Sequence, residues 1–495
     1  MSSRFLKINP KDTVAVSLFG IAKGETIEVD GKTVTAAEEI PAGHKIALCD
    51  MAEGENIIKY GFPIGHAKCA IKAGSHVHTQ NTKSNLGELL TYTYNPDFRD
   101  LPKEKPATFM GYKRENGKVG IRNEVWIIPT VGCVNAICKE IEQAAQVYKR
   151  GSIDAIVSYS HPYGCSQLGD DQLHTQKFLS GLINHPNAAA VLVVGLGCEN
   201  NNIPELKKVL GETDDRRVRF IVCQEHDDEI AEATKILKEL CDYAAKFERA
   251  ECPASELVLG LKCGGSDGFS GITANPLVGC ASDKVIAQGG SAVLTEVPEM
   301  FGAETILMNR CRTTALFDKT VDLINNFKSY FMRYGEKIDE NPSPGNKAGG
   351  ITTLEDKSLG CTQKGGSAPV DDVLSYGEQV KVKGLSLLEG PGNDLVAACA
   401  LAAAGCHIVL FTTGRGTPFA CPVPTVKIAS NGRLYEHKNT WMDFNAGELL
   451  EGTTMDELSS RFYDYILDVA SGKAHAKSEK LDKRDLAIFK DGVTL

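Results

Sequence analysis

Strand-like and helix-like segments alternate from residue 111 onwards, and this alternation constrains the fold more than any other feature of the chain. After the first strand-like segment, Ile137, Ile141 and Ala144 recur at helical spacing. Strands that alternate with helices in this way form parallel sheets covered on both faces. Residues 111–250 are therefore predicted to form a doubly wound α/β region with the strands VWIIPT (125–130), AIVSYS (155–160), AAVLVV (189–194) and VRFIVC (218–223).

The alternation resumes after residue 250 and predicts a second, Rossmann-like α/β region over residues 251–495. Its strand segments are ELVLGLKCGG, SAVLTEVPEM, GLSLLEG and CHIVLFTTGRG. Residues 341–361, NPSPGNKAGGITTLEDKSLGC, are rich in Gly, Pro and Asn and are expected to form a loop without secondary structure. A loop of that length inside a compact domain usually serves function.

Residues 1–82 show a different pattern, in which short β-rich pieces are separated by Gly and Pro. No helical period lasts more than two turns there, so a small β domain is predicted. Residues 83–110 are polar, contain several prolines and are predicted to be a linker. The expected architecture is thus a small β domain followed by two α/β regions.

Composition and charge exclude several classes of function. The formal net charge is −10 and no long basic block occurs, which argues against nucleic acid and acidic membrane surfaces as partners. The first residues lack a signal-peptide pattern, and the apolar runs are too short to cross a bilayer, so a cytoplasmic location is expected. In a reducing compartment the 16 cysteines are expected to be buried residues, metal ligands or catalytic groups rather than disulfides.

Three cysteines of the first α/β region follow glycine in loops after predicted strands, namely Cys133, Cys165 and Cys198. Loops at the carboxyl ends of parallel strands gather on one edge of the sheet, where ligands bind. These thiols are predicted to bind Fe(II), or an iron–sulfur cluster with one open iron; the alternative is that they are small packed residues. His161 lies on the same edge and is either an acid–base catalyst or a structural histidine.

Two glycine-rich loops of the second α/β region, CGGSDGFSG (263–271) and TTGRGTP (412–418), follow predicted strands directly. Exposed backbone N–H groups in such loops favour carboxylate or phosphate binding. We expect the substrate to contact residues of this region that offer small side chains, an amide or a fixed positive charge: Gly264, Gly265, Ser266, Asn275 and Arg415.

Lys347 supplies positive charge in the loop 341–361 and is the second candidate catalytic residue; a solvated surface position is the alternative for it and for Arg415. Glu296, Glu299 and Asp267 lie at strand ends and are candidate oxygen ligands or bases.

In the β domain, His76 and His78 form an H-x-H pair whose imidazoles would point to one face of a strand. Such a pair is a common metal-site geometry, and His44 or His66 could complete it. His76 and His78, together with Glu296, are therefore the alternative metal ligands; chance surface placement of the two histidines is the competing interpretation.

Nucleotide motifs are weak or absent. GLGCEN lacks the third glycine of a dinucleotide fingerprint, and no GxxxxGK[ST] sequence occurs. An NAD-dependent oxidoreductase is thus disfavoured, and no nicotinamide, flavin or pyridoxal phosphate is expected. A carbohydrate-binding module would account for the β domain alone and leave about 400 residues without a role.

Taken together, the motifs of this chain resemble those of the altronate/galactarate dehydratase family, and the resemblance runs essentially from end to end. It rests on GHKIAL, NIIKYGFPIG, GYKRENGKVGIRNEVWIIPTVGCVN, HPYGCSQLGDD, VVGLGCENN, CPASELVLGLKCGGSDGFSGITANP, TEVPEMFGAE, ENPSPGNKAGGITTLEDKSLGCTQK, FTTGRGTP and the closing AIFKDGVTL.

The resemblance implies a SAF-type β-clip domain, a second α/β domain that mediates dimerisation and a Rossmann-like C-terminal catalytic domain with a metal site. It also implies a homodimeric, iron-dependent hydro-lyase that converts D-altronate to 2-dehydro-3-deoxy-D-gluconate by removing the C2 proton and the C3 hydroxyl. Mn(II) or an iron–sulfur cluster is the alternative to Fe(II), and galactarate is the alternative substrate. The metal ligands and the general base stay open at this point.

Overall fold

The N-terminal domain consists of short, mostly antiparallel strands. A computed structural model describes residues 4–87, 89–482 and 484–494 of the chain. In the hairpin of the third and fourth strands, Ile27, Val29 and Val34 are buried while their neighbours are exposed, which is the period of two expected of a half-buried strand. The strands are β1 (Phe5–Leu6), β2 (Val14–Ser17), β3 (Thr26–Val29), β4 (Lys32–Thr35), β5 (Lys45–Ala47), β6 (Asn56–Lys59), β7 (Phe62–Ala67), β8 (His76–Val77) and β9 (Thr82–Lys83).

Three small sheets arise from these strands, with orders β1-β2-β5-β8, β3-β4 and β6-β7-β9. Residues 4–87 contain no helix, in agreement with the predicted β domain. The segment that follows has no regular element between residues 89 and 107, yet it packs on the C-terminal region. There the Tyr92 hydroxyl donates to Glu304 over 2.6 Å, and Tyr94 donates to the Cys311 carbonyl.

The middle region has the predicted parallel, doubly wound sheet, of order β13-β12-β14-β15. The first and last helices cover one face of the sheet, and the two central helices cover the other. Strands 10, 11 and 16 form a separate antiparallel sheet that joins the start of the region to its end. Its elements are β10 (Thr108–Lys113), β11 (Val119–Gly120), β12 (Glu124–Pro129), α1 (Asn135–Ala145), β13 (Ile156–Ser158), α2 (Gly169–Ile183), β14 (Ala188–Gly195), α3 (Ile203–Leu210), β15 (Val218–Val222), α4 (Glu229–Ala244) and β16 (Arg249–Pro253).

The C-terminal region contains a second parallel sheet of seven strands, in the order β19-β20-β18-β17-β21-β22-β23. The elements are β17 (Val258–Cys263), α5 (Ala274–Ala287), β18 (Ser291–Leu294), α6 (Glu304–Asn309), α7 (Thr314–Arg333), α8 (Pro344–Ala348), α9 (Leu354–Cys361), β19 (Val370–Leu374), β20 (Gly384–Leu388), α10 (Asp394–Ala403), β21 (Ile408–Thr413), β22 (Thr425–Ala429), α11 (Gly432–His437), β23 (Phe444–Asn445), α12 (Met455–Ala470) and α13 (Lys477–Lys480). From β17 the chain adds strands on one side of the sheet and later, from β21, on the other. The boundary between β17 and β21 is therefore the topological switch point, where open α/β sheets bind their ligands.

The expectation that residues 341–361 form a loop without secondary structure is wrong, because two short helices, α8 and α9, lie there. Ser343 caps α8 through a capping box with Asn346, and the Thr353 hydroxyl accepts a hydrogen bond from the Asp356 N–H at the start of α9. Every residue of α9 is buried, so its sequence lacks the one-sided apolar stripe that reveals a surface helix.

The two α/β regions pack closely through α2 and α10. A Cβ atom added at Gly181 would lie 2.3 Å from the Ala403 carbonyl oxygen, so no larger residue fits at this crossing. In the part of the chain that the structure describes, no helix combines the length and the apolar character needed to cross a membrane.

Candidate active site at the junction of the N-terminal and C-terminal domains

The glycine-rich loops after β17 and β21 meet at the switch point of the large sheet. The Gly264 N–H donates to the Thr412 carbonyl over 3.0 Å, and the Gly414 N–H donates to the Gly265 carbonyl over 3.1 Å. Gly265 has φ +60°, in the left-handed region that favours glycine, and Arg415 packs beside it. The Gly264 N–H is thus used to pair the loops, and the predicted contact of this residue with substrate stays untested.

A small cavity opens beside these loops. The C-terminal region contributes Ser266 and Asn275 to its lining, as well as Lys357 and Cys361, and the N-terminal domain contributes Lys59 and Tyr60. The Ser266 hydroxyl is buried and has no protein partner among the described residues, so it can bond to a ligand. By contrast, the Asn275 side chain donates to the Gly360 carbonyl and accepts from Thr412. Asn275 therefore holds the cavity wall, and the substrate contact predicted for Ser266 stays a prediction.

Asp267, a candidate ligand or base, is fully engaged within the protein. Its carboxylate accepts hydrogen bonds from Ser270, from Ser430 and from Asn431. Burial raises the pKa of Asp267, while these donors lower it. The aspartate therefore holds the loops in place, and added Cβ atoms at Gly349 and Gly414 would both contact it.

The N-terminal domain docks against α8 and α9 through a tight backbone contact and buried ion pairs. A Cβ atom at Gly350 would lie 2.3 Å from the Gly43 carbonyl oxygen. Both Lys45 and Lys59 form ion pairs of 2.8 Å with Asp356, and all three side chains are buried. Although burial opposes ionisation, the two ammonium groups hold the pKa of Asp356 well below its ordinary range.

Three histidines of the N-terminal domain converge at this junction. His44 lies beside β5, while His76 and His78 come from β8 and the residue after it. His44 Nδ1 lies 2.9 Å from His76 Nε2, the ring centroids are 4.9–5.4 Å apart, and one nitrogen of each ring lies within 4.8 Å of the others. The group faces the α8–α9 segment, since His44 Nε2 lies 3.4 Å from the Ala348 carbonyl and His78 Nδ1 lies 3.2 Å from the Thr352 hydroxyl.

Burial lowers the pKa of His44 and His78 to about 4. The rings are therefore neutral near pH 7, as metal coordination requires. His66, the other candidate for completing the pair, instead bonds to Asn85 over 2.7 Å.

Glu296 does not join these histidines, contrary to the alternative ligand set. It sits in the left-handed region at the end of β18 with φ +69°, pairs with Lys262 and accepts a 2.9 Å hydrogen bond from the Cys263 N–H. The buried lysine satisfies this carboxylate inside the C-terminal region.

Lys347 and Arg415 lie near the same loops. Lys347 is half-buried on α8, next to the residue whose carbonyl contacts His44. Arg415 is exposed, and the glycine before it packs on Asp267. Both cations are thus at the rim of the junction, and the roles predicted for them remain predictions.

The cysteine edge of the middle sheet is arranged differently. Its loops contact one another: the Gly132 N–H donates to the Tyr163 carbonyl, and the Asn201 N–H donates to the Gly164 carbonyl. However, the sulfurs of the exposed Cys133, Cys165 and Cys198 do not form a group of donors within 4.8 Å among the described residues. The loops meet, and the three cysteines are exposed to solvent.

His161 has the contacts of a structural histidine. It is 2% exposed, its Nε2 donates to the Pro129 carbonyl over 2.8 Å, and its Nδ1 accepts from the Tyr163 N–H over 3.2 Å. Both ring nitrogens are used inside the loop, which favours the structural alternative, and the catalytic role of His161 stays a prediction.

Sequence reasoning missed Lys59, Tyr60, Asp356 and Lys357 at the cavity. One local signal was available: Thr353 precedes Leu-Glu-Asp, a pattern typical of a helix start, and would have located α9. Lys59 at the end of β6 and Tyr60 directly after it carry no comparable signal.

Comparison with known proteins agrees with this architecture. Residues 3–85 match the altronate/galactarate dehydratase SAF domain, residues 111–245 match the D-galactarate dehydratase/altronate hydrolase second domain, and residues 254–494 match the D-galactarate/altronate dehydratase C-terminal domain. The chain is 53% identical to altronate dehydratase of Escherichia coli (strain K12), over 99% of this chain and 100% of that protein.

Two further relatives differ in their identity to this chain. Altronate dehydratase of Bacillus subtilis (strain 168) is 55% identical over 99% of both chains. Galactarate dehydratase (L-threo-forming) of E. coli (strain K12) is 32% identical over 98% of this chain and 96% of its own. The chain belongs to the altronate/galactarate dehydratase family.

Proposed function

We propose that this protein is a hydro-lyase that dehydrates D-altronate to 2-dehydro-3-deoxy-D-gluconate. The observation that carries the substrate assignment is identity of 53% and 55% to two altronate dehydratases over the whole chain, against 32% to a galactarate dehydratase. The cavity at the sheet switch point, with its unpaired hydroxyl and its neighbouring imidazoles, supports an active site at the domain junction.

The reaction needs help at two atoms. The proton at C2 is weakly acidic because its removal adds charge beside an ionised carboxylate, and the C3 hydroxyl is a poor leaving group. Preorganised donors and fixed charges stabilise such developing charge most effectively in a site that excludes water. The N-terminal domain supports this exclusion, since Lys59 and Tyr60 form part of the cavity lining.

The family resemblance implies iron, and the donor set of the three histidines fits it. Neutral imidazole suits Fe(II), and three protein ligands leave positions open for substrate oxygen. His44, His76 and His78 would hold the ion. Fe(II) bound there would supply Lewis-acid polarisation of a carboxylate or hydroxyl oxygen, worth several kcal/mol.

Other residues of the chain orient the substrate and handle its charge. The protonated Lys357 amine, held 2.7 Å from Glu299 and 3.1 Å from Asn341, presents a fixed cation at the cavity wall for the substrate carboxylate. The Ser266 hydroxyl is a donor to the same oxygens, and Arg415 at the rim extends the positive field. Lys347 is our candidate for proton transfer at C2.

Purified protein supplied with Fe(II) under reducing conditions should turn over D-altronate with a kcat/KM at least tenfold above that for galactarate. A kcat/KM for galactarate that equals or exceeds that for altronate would overturn the substrate assignment. Full activity in chelator-treated, metal-free protein would overturn the metal assignment separately.

The homodimer and the cytoplasmic location stay predictions. Light scattering coupled to gel filtration tests the homodimer.

A further inference from the structure

A cavity lies at the amino-terminal edge of the middle sheet, apart from the domain junction. Its volume is about 150 Å³, well above the roughly 10–15 Å³ that one water molecule needs. It is lined by Ala189 and Val218, near the starts of β14 and β15, and by two arginines, Arg114 and Arg217. None of the described residues that line it belongs to the cavity beside the glycine-rich loops, so the two cavities can bind different groups.

Both guanidinium groups are buried, and neither forms an ion pair with a carboxylate in the part of the chain that the structure describes. Arg114 is 6% exposed and Arg217 is 8% exposed. Arg114 donates to two backbone carbonyls and to the Asn123 side chain over 2.7–2.8 Å, while Arg217 Nη2 donates to two backbone carbonyls over 3.0 and 3.1 Å. These oxygens carry only partial negative charge, so two full positive charges are buried without a paired anion.

The positive charges around the cavity repel one another. Burial lowers the pKa of Arg114 to about 9, with a further contribution from the charge of Arg217, and burial lowers the pKa of Arg217 to about 10. Both groups therefore stay protonated near pH 7. Lys118 adds a third cation at the margin, because its ammonium donates over 3.4 Å to the carbonyl of Asn184, which lines the cavity. A bound anion would stabilise the protonated form of all three groups.

Two side chains at the cavity have hydrogen-bond donors that the protein does not use. Arg217 bonds only through Nη2, so its Nε and Nη1 groups have no partner among the residues that the structure describes. The Tyr243 hydroxyl also lines the cavity and has no hydrogen-bonding partner in the described chain. Arg114 is held in place by stacking, since its guanidinium lies 4.8 Å from the centroid of the Phe247 ring. The cavity thus combines a fixed cation with free N–H and O–H donors, a combination that suits oxyanions.

We propose that this cavity binds a small oxyanion, with a phosphate group as the expected ligand. The planar Arg217 guanidinium offers N–H donors to the phosphate oxygens, and Tyr243 offers its hydroxyl. Arg114 supplies a second full charge at the cavity wall. An anion held there pairs with charges that the protein itself leaves unpaired, which is why an anion is expected rather than a cation or a neutral group.

The acidic residues at the cavity limit the size of the anion. Glu115 and Asp214 line it, but both already pair with the exposed Arg216, over 2.6 and 2.7 Å. Glu212 also lines the cavity and is exposed. These carboxylates would repel a long polyanion, whereas a single phosphate group can lie beside the guanidinium groups. The expected ligand is therefore inorganic phosphate or a small phosphate monoester.

Isothermal titration calorimetry of the full chain with inorganic phosphate tests the proposal. The wild-type protein should bind one equivalent that depends on Arg217, and Arg217→Gln should weaken this binding by roughly tenfold or more, because charge-assisted donors are lost. The matched control is Arg219→Gln, which removes a nearby arginine that pairs with Glu239 outside the cavity and should bind phosphate as the wild type does. Equal affinity in the wild type and in Arg217→Gln would overturn the proposal.

A second titration, with glycerol 3-phosphate, separates a free phosphate ion from a phosphorylated metabolite as the source of the ligand. Tighter Arg217-dependent binding of the monoester would assign the site to a metabolite, and tighter binding of inorganic phosphate would assign it to the free ion. Binding of neither compound to the wild-type protein would refute the oxyanion site.

Tyr243→Phe keeps the proposal testable if Arg217→Gln fails to fold, because it retains the ring and removes only the hydroxyl. We expect the Kd of the tighter ligand to rise by roughly threefold, the effect of one lost hydrogen bond. An unchanged Kd in Tyr243→Phe would contradict the proposed contacts. These titrations do not depend on altronate turnover or on iron, so failure of the altronate assay would leave them unaffected.

Discussion

The carboxyl edges of the two parallel sheets look alike in sequence but differ in the folded protein. In the middle sheet, the loops carrying Cys133, Cys165 and Cys198 bond to one another, and their thiols face solvent. In the C-terminal sheet, the N-terminal domain and the α8–α9 segment cover the edge. Buried lysines and the Ser266 hydroxyl line one cavity there, and three imidazoles lie close together at the same domain junction. Position at a sheet edge is thus not enough; a second domain must cover the edge before donors converge in a desolvated space.

The largest effect is expected for the histidines at the covered edge of the C-terminal sheet. Replacing His76 with Ala should remove bound iron and lower kcat for altronate by roughly 100-fold or more, because the proposed iron site would lose one of its three ligands. Elemental analysis and steady-state assays measure both quantities. His66→Ala is the matched control, since His66 lies in the same domain but outside the group of three. A near-normal kcat and iron content in His76→Ala would show that the histidines at the covered sheet edge are not the iron ligands.

The second-largest effect is expected for the ion pairs that attach the N-terminal domain to the C-terminal region. Asp356→Asn leaves Lys45 and Lys59 buried without their shared counter-charge, and should lower the free energy of unfolding by about 3–5 kcal/mol. Urea unfolding followed by circular dichroism measures it. In Asp50→Asn, which breaks the exposed pair with Lys72, the unfolding midpoint should not move. Equal destabilisation in the two variants would show that the junction does not depend on this cluster.

A smaller effect is expected in the pH dependence of the free energy of unfolding, to which the histidines at the covered sheet edge contribute. The pKa values of His44 and His78 lie near 4 in the folded protein, below the ordinary value of 6.5, so the unfolded chain binds more protons in between. Metal-free protein should therefore be fully stabilised by these groups above pH 6.5 and lose that contribution as the pH falls towards 4. Urea midpoints at pH 7 and pH 5 should converge partly in a His44→Gln, His78→Gln variant; an identical pH dependence would contradict this origin.

The smallest effect is expected at the uncovered edge. Cys165→Ser and Cys198→Ser should retain iron content and kcat within about twofold, because exposed positions tolerate substitution. Loss of iron or activity in either variant would contradict this prediction. It would show that the cysteines of the middle sheet take part in the reaction and that their thiols move together when they bind an ion.

The local spacing of apolar and polar residues predicted much of the fold, because it reflects how each segment is buried. The strands of the middle sheet, such as Ala188–Gly195, were evident as apolar runs, and the H-x-H pair was evident because His76 and His78 are two residues apart on a strand. The α9 helix escaped prediction because it is buried on all sides and has no one-sided apolar stripe.

By itself, the sequence determined the family, the order of a β domain and two α/β regions, and the loops that could carry chemistry. Tertiary structure alone decided which of those loops form a site: Lys59 meets Asp356 across 297 residues, and Cys263 meets Cys361 across 98. The physical reason is that periodicity records how each segment meets its immediate surroundings. Contacts between distant side chains depend on how whole sheets and domains pack, and short-range patterns carry no information about that packing.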